Sequence, residues 1–298
     1  MTMRETSFKG ALGNRLAADM FGGDGAPVLL LHGGGQTRHA WRKTAQAIAA
    51  AGRTAYAVDQ RGHGDSEWIE SGAYKFHDYA SDVAAVARAL SERHGKRPVT
   101  IGASLGGIAS LLAEGDAAER GEPLLGALVL VDITPRVDAG GVDKVIGFMR
   151  EHAREGFTTV EEAAEAVAAY LPHRPKPKSN EGLRKNLRRG GDGRWRWHWD
   201  PQFLESRGPD GGDRDGLEAG LTAAARRLAI PTLLVRGASS ELVKPEHARD
   251  FLQLVPHAEY ADVSGARHMV AGDQNDSFSS AILDFLNRLP SGRLSARL

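Results

Sequence analysis

The chain has 298 residues, 41% hydrophobic and 26% charged, and contains no cysteine. That length can bury one large core with room for a smaller insert, and the cysteine count excludes disulfides, thiolate metal sites and a cysteine nucleophile. Lys+Arg and Asp+Glu both number 38, so no net field favours nucleic acid or an anionic membrane as partner.

Met1 to Lys9 is polar and has no apolar signal core. No apolar run approaches the roughly 20 residues that span a bilayer. The expectation is a soluble, cytoplasmic protein. Short apolar runs then alternate with helical patterns, which predicts an α/β fold. Arg15–Met20 reads as an early edge strand. Val28–Leu31 is a compact buried strand ending at a glycine-rich loop. Trp41–Ala51 has a helical pattern, and Thr54–Val58 is a strand stopped by the polar loop Asp59–Ser66. Asp78–His94 is an amphipathic helix with Val83, Val86, Ala87 and Leu90 on one face, and Gly95 is placed to end it. Strand Val99–Ala103 runs into helix Leu105–Glu114. Leu124–Val131, Ile230–Val235 and Ala258–Val263 are the remaining strands, and Phe278–Leu289 is a closing helix.

Pro135 to Arg227 breaks the alternation. It holds helix-like Thr159–Tyr170, a basic turn with Pro172, Pro175 and Pro177, and the aromatic run Trp195–Trp199, but no strand pattern. About ninety residues is far longer than a loop between sheet strands. The expected organisation is a core of residues 1–134 and 228–298 with a helical lid inserted at 135–227.

Gly102-Ala103-Ser104-Leu105-Gly106 is a G-x-S-x-G pattern where a strand passes into a helix. Flanking glycines let the backbone turn sharply and lift the serine hydroxyl above the sheet. The helix start behind it aims N–H groups at developing negative charge. Acyl transfer needs two such donors for the oxyanion. Leu105, after the nucleophile, supplies one. The loop His32-Gly33-Gly34-Gly35 supplies the other, for which Gly34 is the candidate. No G-K-[ST] or G-x-G-x-x-G follows that loop, which argues against a nucleotide site. No zinc-ligand spacing joins the histidines and carboxylates.

These motifs, with Asp59-Gln60-Arg61-Gly62-His63-Gly64-Asp65-Ser66 as a D-x-R-G-x-G-x-S loop and a late histidine in Gly265-Ala266-Arg267-His268, resemble the α/β-hydrolase superfamily over nearly the whole chain. The serine branch of that superfamily includes esterases, cofactor-free haloperoxidases (perhydrolases) and C–C bond hydrolases. Epoxide hydrolases and haloalkane dehalogenases carry Asp at the nucleophile position, so Ser104 argues against both. The resemblance implies a mostly parallel sheet flanked by helices, Ser104 as nucleophile and His268 as base. It places the acid after strand Ile230–Val235, where Glu241 occupies the expected position. Asp132, after the preceding strand, is the rival. His32 is expected to shape the oxyanion loop and His63 to support its packing.

Trp197, Trp199 and His198 are candidate substrate contacts, although the tryptophans could equally dock the lid. Arg174, Lys176, Lys178, Arg184, Lys185, Arg188 and Arg189 form a basic cluster that reads as a solvated face or an attractor of anionic substrates. The implied activity is hydrolysis of a small to medium carboxylic ester without metal or cofactor. C–C bond, lactone and perhydrolase chemistry use the same triad, and a non-catalytic binding protein would keep the pocket without the reaction.

Overall fold

A computed structural model describes residues 3–172, 179–205, 213–268 and 275–289. In chain order these residues form β1 (Met3–Lys9), β2 (Arg15–Phe21), β3 (Pro27–Leu31), α1 (Arg42–Ala50), β4 (Thr54–Val58), α2 (Phe76–His94), β5 (Val99–Ala103), α3 (Leu105–Glu119) and β6 (Ala127–Val131). Next come α4 (Ala139–Glu151), α5 (Val160–Tyr170), α6 (Glu181–Arg184), β7 (Leu187–Arg189), β8 (Trp195–Trp197), α7 (Gln202–Glu205) and α8 (Arg214–Arg226). The chain then returns to the sheet with β9 (Thr232–Gly237), α9 (Pro245–Leu254), β10 (Glu259–Val263) and α10 (Asn275–Arg288).

Eight strands form one sheet in the order β1-β2-β4-β3-β5-β6-β9-β10. The β1–β2 and β2–β4 pairs are antiparallel and the rest are parallel. Side chains alternate across the sheet with the strand period of two. Leu29, Leu31, Tyr56, Leu128, Leu130 and Leu234 face the layer that holds α2, α3, α8 and α9. Val28, Leu30, Ala55, Ile101, Val129 and Val235 face α1 and α10. Both faces are covered, which is why β3 and β6 read as unbroken apolar runs. Gly95 ends α2 in the left-handed region at φ 63 and donates its N–H to Ser91.

Three expectations change. The strand expected at Arg15–Met20 is interior, flanked by β1 and β4, and β1 is the edge. All but two residues of β1 are exposed, so it lacks the apolar run of a buried strand. Second, the segment expected to lack strands contains the antiparallel pair β7–β8. Third, α8 lies inside the expected lid boundary yet packs on core helix α3. A Cβ on Gly115 of α3 would stand 2.4 Å from the Cβ of Ala224, so the two backbones nearly touch. No helix among the described residues is long and apolar enough to cross a membrane.

Candidate active site

The turn from β5 into α3 is built by what its glycines exclude. A Cβ on Gly102 would stand 2.4 Å from the backbone of Gly106, and one on Gly106 would stand 2.5 Å from the carbonyl of Leu31. Gly107 leaves room for Ile133 in the same way. Between them Ser104 is forced to φ 44, ψ −109, outside the usual regions for a residue with a Cβ. The strain puts the serine at the carboxyl end of the sheet and at the N-terminus of α3. Leu105 is the first residue of that helix, so its N–H has no intrahelical acceptor.

The loop after β3 crosses directly over this turn. A Cβ on Gly33 would lie 3.5 Å from the Cβ of Ser104. Two N–H groups of this loop serve its own structure: Gly33 donates to Gln36 Oε1 at 3.1 Å and Gly35 donates to His63 Nε2 at 3.1 Å. The N–H of Gly34, between them, has no hydrogen-bond acceptor among the described residues. The ring of Phe203 would lie 3.1 Å from a Cβ on Gly34 and closes that side of the loop.

His32 and His63 are both fully buried. Nε2 of His32 accepts the N–H of Gln60, and its Nδ1 donates to the carbonyl of Gly33. Burial is the main force holding His32 below its usual proton affinity. The Asp59 charge and the Gly33 carbonyl oppose it, and Arg38 adds to it. His63 donates Nδ1–H to the Arg61 carbonyl while accepting from Gly35. Both rings therefore brace the glycine loop through hydrogen bonds.

The Asp59–Ser66 loop holds His63 in place. Buried Asp59 accepts from the guanidinium of Arg38, from the Arg38 N–H at 2.5 Å and from the Asp65 N–H at 2.9 Å. Arg61 makes a two-pronged ion pair with Asp82 of α2, both contacts at 2.7 Å. Ser66 donates to the Asp59 carbonyl and accepts from Ala17 of β2. Gly64 has φ 54, and a Cβ there would lie 2.2 Å from the Asp59 carboxylate.

His268 follows β10 after Gly265, which has φ 73. Its Nδ1 lies 2.7 Å from Oδ2 of Asp132, a fully buried carboxylate. Ser104 Oγ makes no hydrogen bond to His268 among the described residues. Asp132 follows β6 with φ 49, and its N–H donates to Val235 of β9 at 2.7 Å. Ser104 and Asp132 are the two non-glycine residues with positive φ among those described.

Glu241 does not reach His268, and the expectation that it partners the base is corrected. Ser240 closes a tight turn by donating its N–H to Gly237 at 2.8 Å. Its hydroxyl then accepts the N–H groups of Leu242 and Val243 and donates to Asp132 Oδ2 at 2.6 Å. That turn leaves Glu241 facing α4 and α5. Its carbonyl would lie 2.4 Å from a Cβ on Gly141, and its Oε2 is buried with no hydrogen-bond partner. Burial and the charge of Glu241 raise Tyr170 of α5 to about 12.

Elements of the inserted segment cover the glycine loop. The Met149 methyl of α4 would lie 2.9 Å from a Cβ on Gly35. Trp199 pairs with His63 as an isolated bridge, and Asp200 donates its N–H to Gly62 at 2.7 Å. Trp199 is buried, with its Nε1 3.7 Å from the Cβ position of Gly35. Trp197 packs with Phe157 at 5.2 Å and Phe148 at 5.9 Å inside the insert. His198 turns toward Asp65, at 3.9 Å. Of the basic cluster, Arg188 lies 3.6 Å over the ring of Trp68 and Arg184 5.1 Å over Trp195, whereas Arg174, Lys176 and Lys178 lie outside the described residues. No group of three His, Asp or Glu side chains among the described residues is placed to hold a metal ion.

Sequence reasoning missed Ser240 and Gln36. Each is an uncharged polar residue in a loop beside a motif, and only the turn geometry reveals what it binds.

Comparison with known proteins agrees with this architecture. The chain is 30% identical over 266 residues to an esterase of Mycobacterium tuberculosis, covering 87% of this chain and 82% of that protein. It is 31% identical to 2-(acetamidomethylene)succinate hydrolase of Mesorhizobium japonicum, covering 78% of each. A solved structure of the M. tuberculosis esterase superposes with a TM-score of 0.75 at 28% identity, over 96% of this chain and 93% of that one. A crystal structure of E-2-(acetamidomethylene)succinate hydrolase superposes at 0.80 and 24% identity, over 96% of this chain and all of that one, a likeness of fold alone. Residues 26–273 match the family described as alpha/beta hydrolase fold, and the chain belongs to that family of hydrolases.

Proposed function

We propose that this hydrolase cleaves small to medium carboxylic esters through an acyl-enzyme on Ser104. The observation that carries the reading is the strained serine turn beneath the glycine loop, with the buried Asp132–His268 pair at 2.7 Å supplying an oriented base. Asp132 accepts the Nδ1–H of His268, which leaves Nε2 unprotonated and available to Ser104. His268 takes the Ser104 proton as Oγ attacks the carbonyl carbon. The N–H groups of Leu105 and Gly34 donate to the oxyanion, and each such donor is worth about 10²- to 10³-fold in rate. The C–O bond to the alcohol then breaks and His268 protonates the departing oxygen. Water, deprotonated by His268, attacks the acyl carbon, and the second collapse releases the acid and restores Ser104. The described elements α4 to α7 act as a lid that sets pocket shape. The esterase of M. tuberculosis, at 30% identity, favours the ester class.

The test is hydrolysis of p-nitrophenyl esters from acetate to decanoate by wild type and Ser104→Ala. Turnover by wild type and none by Ser104→Ala is the expected result, and the chain-length optimum sizes the pocket. A Ser104→Ala variant with full turnover would rule the mechanism out.

A further inference from the structure

Asp132 binds more than the imidazole. Its Oδ1 accepts the N–H of Gly237 at 3.1 Å, and its Oδ2 accepts both His268 Nδ1–H at 2.7 Å and Ser240 Oγ–H at 2.6 Å. Ser240 is 8% exposed, and its Oγ also accepts the N–H groups of Leu242 and Val243 at 3.1 Å each. Those donors occupy the two lone pairs of the hydroxyl, so its one proton has a single direction left, toward Asp132. The terminal torsion of an aspartate is soft. Without a third donor, the carboxylate could swing about the axis set by Gly237 and lose its alignment with His268.

We infer that Ser240 is a positioning residue, which fixes the rotation of the Asp132 carboxylate so that Oδ2 meets His268 Nδ1–H. This rests on the triad reading above. The same turn is clamped to α4: Asp138 donates its N–H to the Leu242 carbonyl at 2.8 Å, and Lys244 pairs with the Asp138 carboxylate. The start of the inserted segment thereby reaches the acid through one hydroxyl.

The experiment compares wild type, Ser240→Ala, Ser240→Thr and Asp132→Asn on the p-nitrophenyl ester that wild type turns over fastest. It also records the far-downfield proton resonance of the His268–Asp132 bond. Ser240→Ala is expected to lower kcat about 10- to 100-fold, the loss of one hydrogen bond to a charged group, with KM nearly unchanged and the resonance displaced. Ser240→Thr, which keeps the hydroxyl donor, is expected to restore most of kcat. Wild-type kcat and an unmoved resonance in Ser240→Ala, beside an inactive Asp132→Asn, would overturn the role of Ser240 alone. Full turnover by Asp132→Asn would instead overturn the triad reading beneath it. If Ser240→Ala does not fold, Ser240→Cys against Ser240→Thr decides, because a thiol is a weak donor. Lower kcat in the cysteine variant upholds the role and equal kcat overturns it.

Discussion

Two carboxylates compete for one job at the end of the sheet, and burial geometry separates them. Asp132 emerges from β6 between β5 and β9, where a backbone N–H, a hydroxyl and an imidazole converge on it. Those three bonds compensate for burying a charge. Glu241 stands four residues past the end of β9, and its charge acts on Tyr170 of α5. Asp132→Asn is therefore expected to lower kcat by about 10⁴-fold, because an amide cannot both match the shape and hold the right imidazole tautomer. Glu241→Gln is expected to keep kcat within about threefold of wild type, a change too small for a transition-state contact. Steady-state kinetics on one ester with both variants checks the pair.

At the scale of elements, the Asp59–Ser66 loop works as a brace. Its ion pairs anchor it to α2 and to Arg38, and its product is a fixed His63 that accepts from the glycine loop. Gly64→Ala would force a Cβ onto the Asp59 carboxylate at a positive φ. The expected cost is about 2 kcal/mol or more, read as a lower midpoint in urea unfolding. His63→Phe keeps the ring but removes the acceptor for Gly35. It is expected to lower kcat about 10-fold or more with little change in KM, as the loop that carries Gly34 loosens. The loop was legible in sequence as a family-like motif, but its ion pairs to Arg38 and Asp82 were not, because their partners lie far apart in the chain. The strands β3 to β6 were legible because burial on both faces demands unbroken apolar runs. The edge strand β1 was not, since it buries only Phe8 fully. Nor were β7 and β8, three residues each and rich in arginine. The partner of His268 was not legible, because it depends on how the loop after β9 turns Ser240 toward Asp132.

The whole molecule carries a pH signature from histidines that the fold keeps neutral. Burial lowers the proton affinity of His32, and burial is also the leading cause at His39 and His94. In the unfolded chain these rings titrate near the ordinary 6.5. Below that pH the unfolded state binds more protons, so stability rises with pH. The contribution is complete above about pH 6.5 and is lost as pH falls through the lower folded values. Thermal unfolding is expected to show a falling midpoint from about pH 7.5 to about pH 5.5, and a shallower fall in His32→Asn. A midpoint flat across that range would contradict the neutral, buried state of these rings.

Among the described residues, the sheet also ends in two strands that have one neighbour each. The β1 edge exposes Arg4, Glu5 and Lys9, and the β10 edge exposes Glu259, bridged to Arg288, and Asp262, bridged to Arg236 beside it. A ninth strand added at either side would have to strip water from those charges. The eight-stranded sheet is thus a finished surface that does not invite its own copies to extend it into fibres, and two apolar residues in place of Arg4 and Glu5 should be enough to reopen that route.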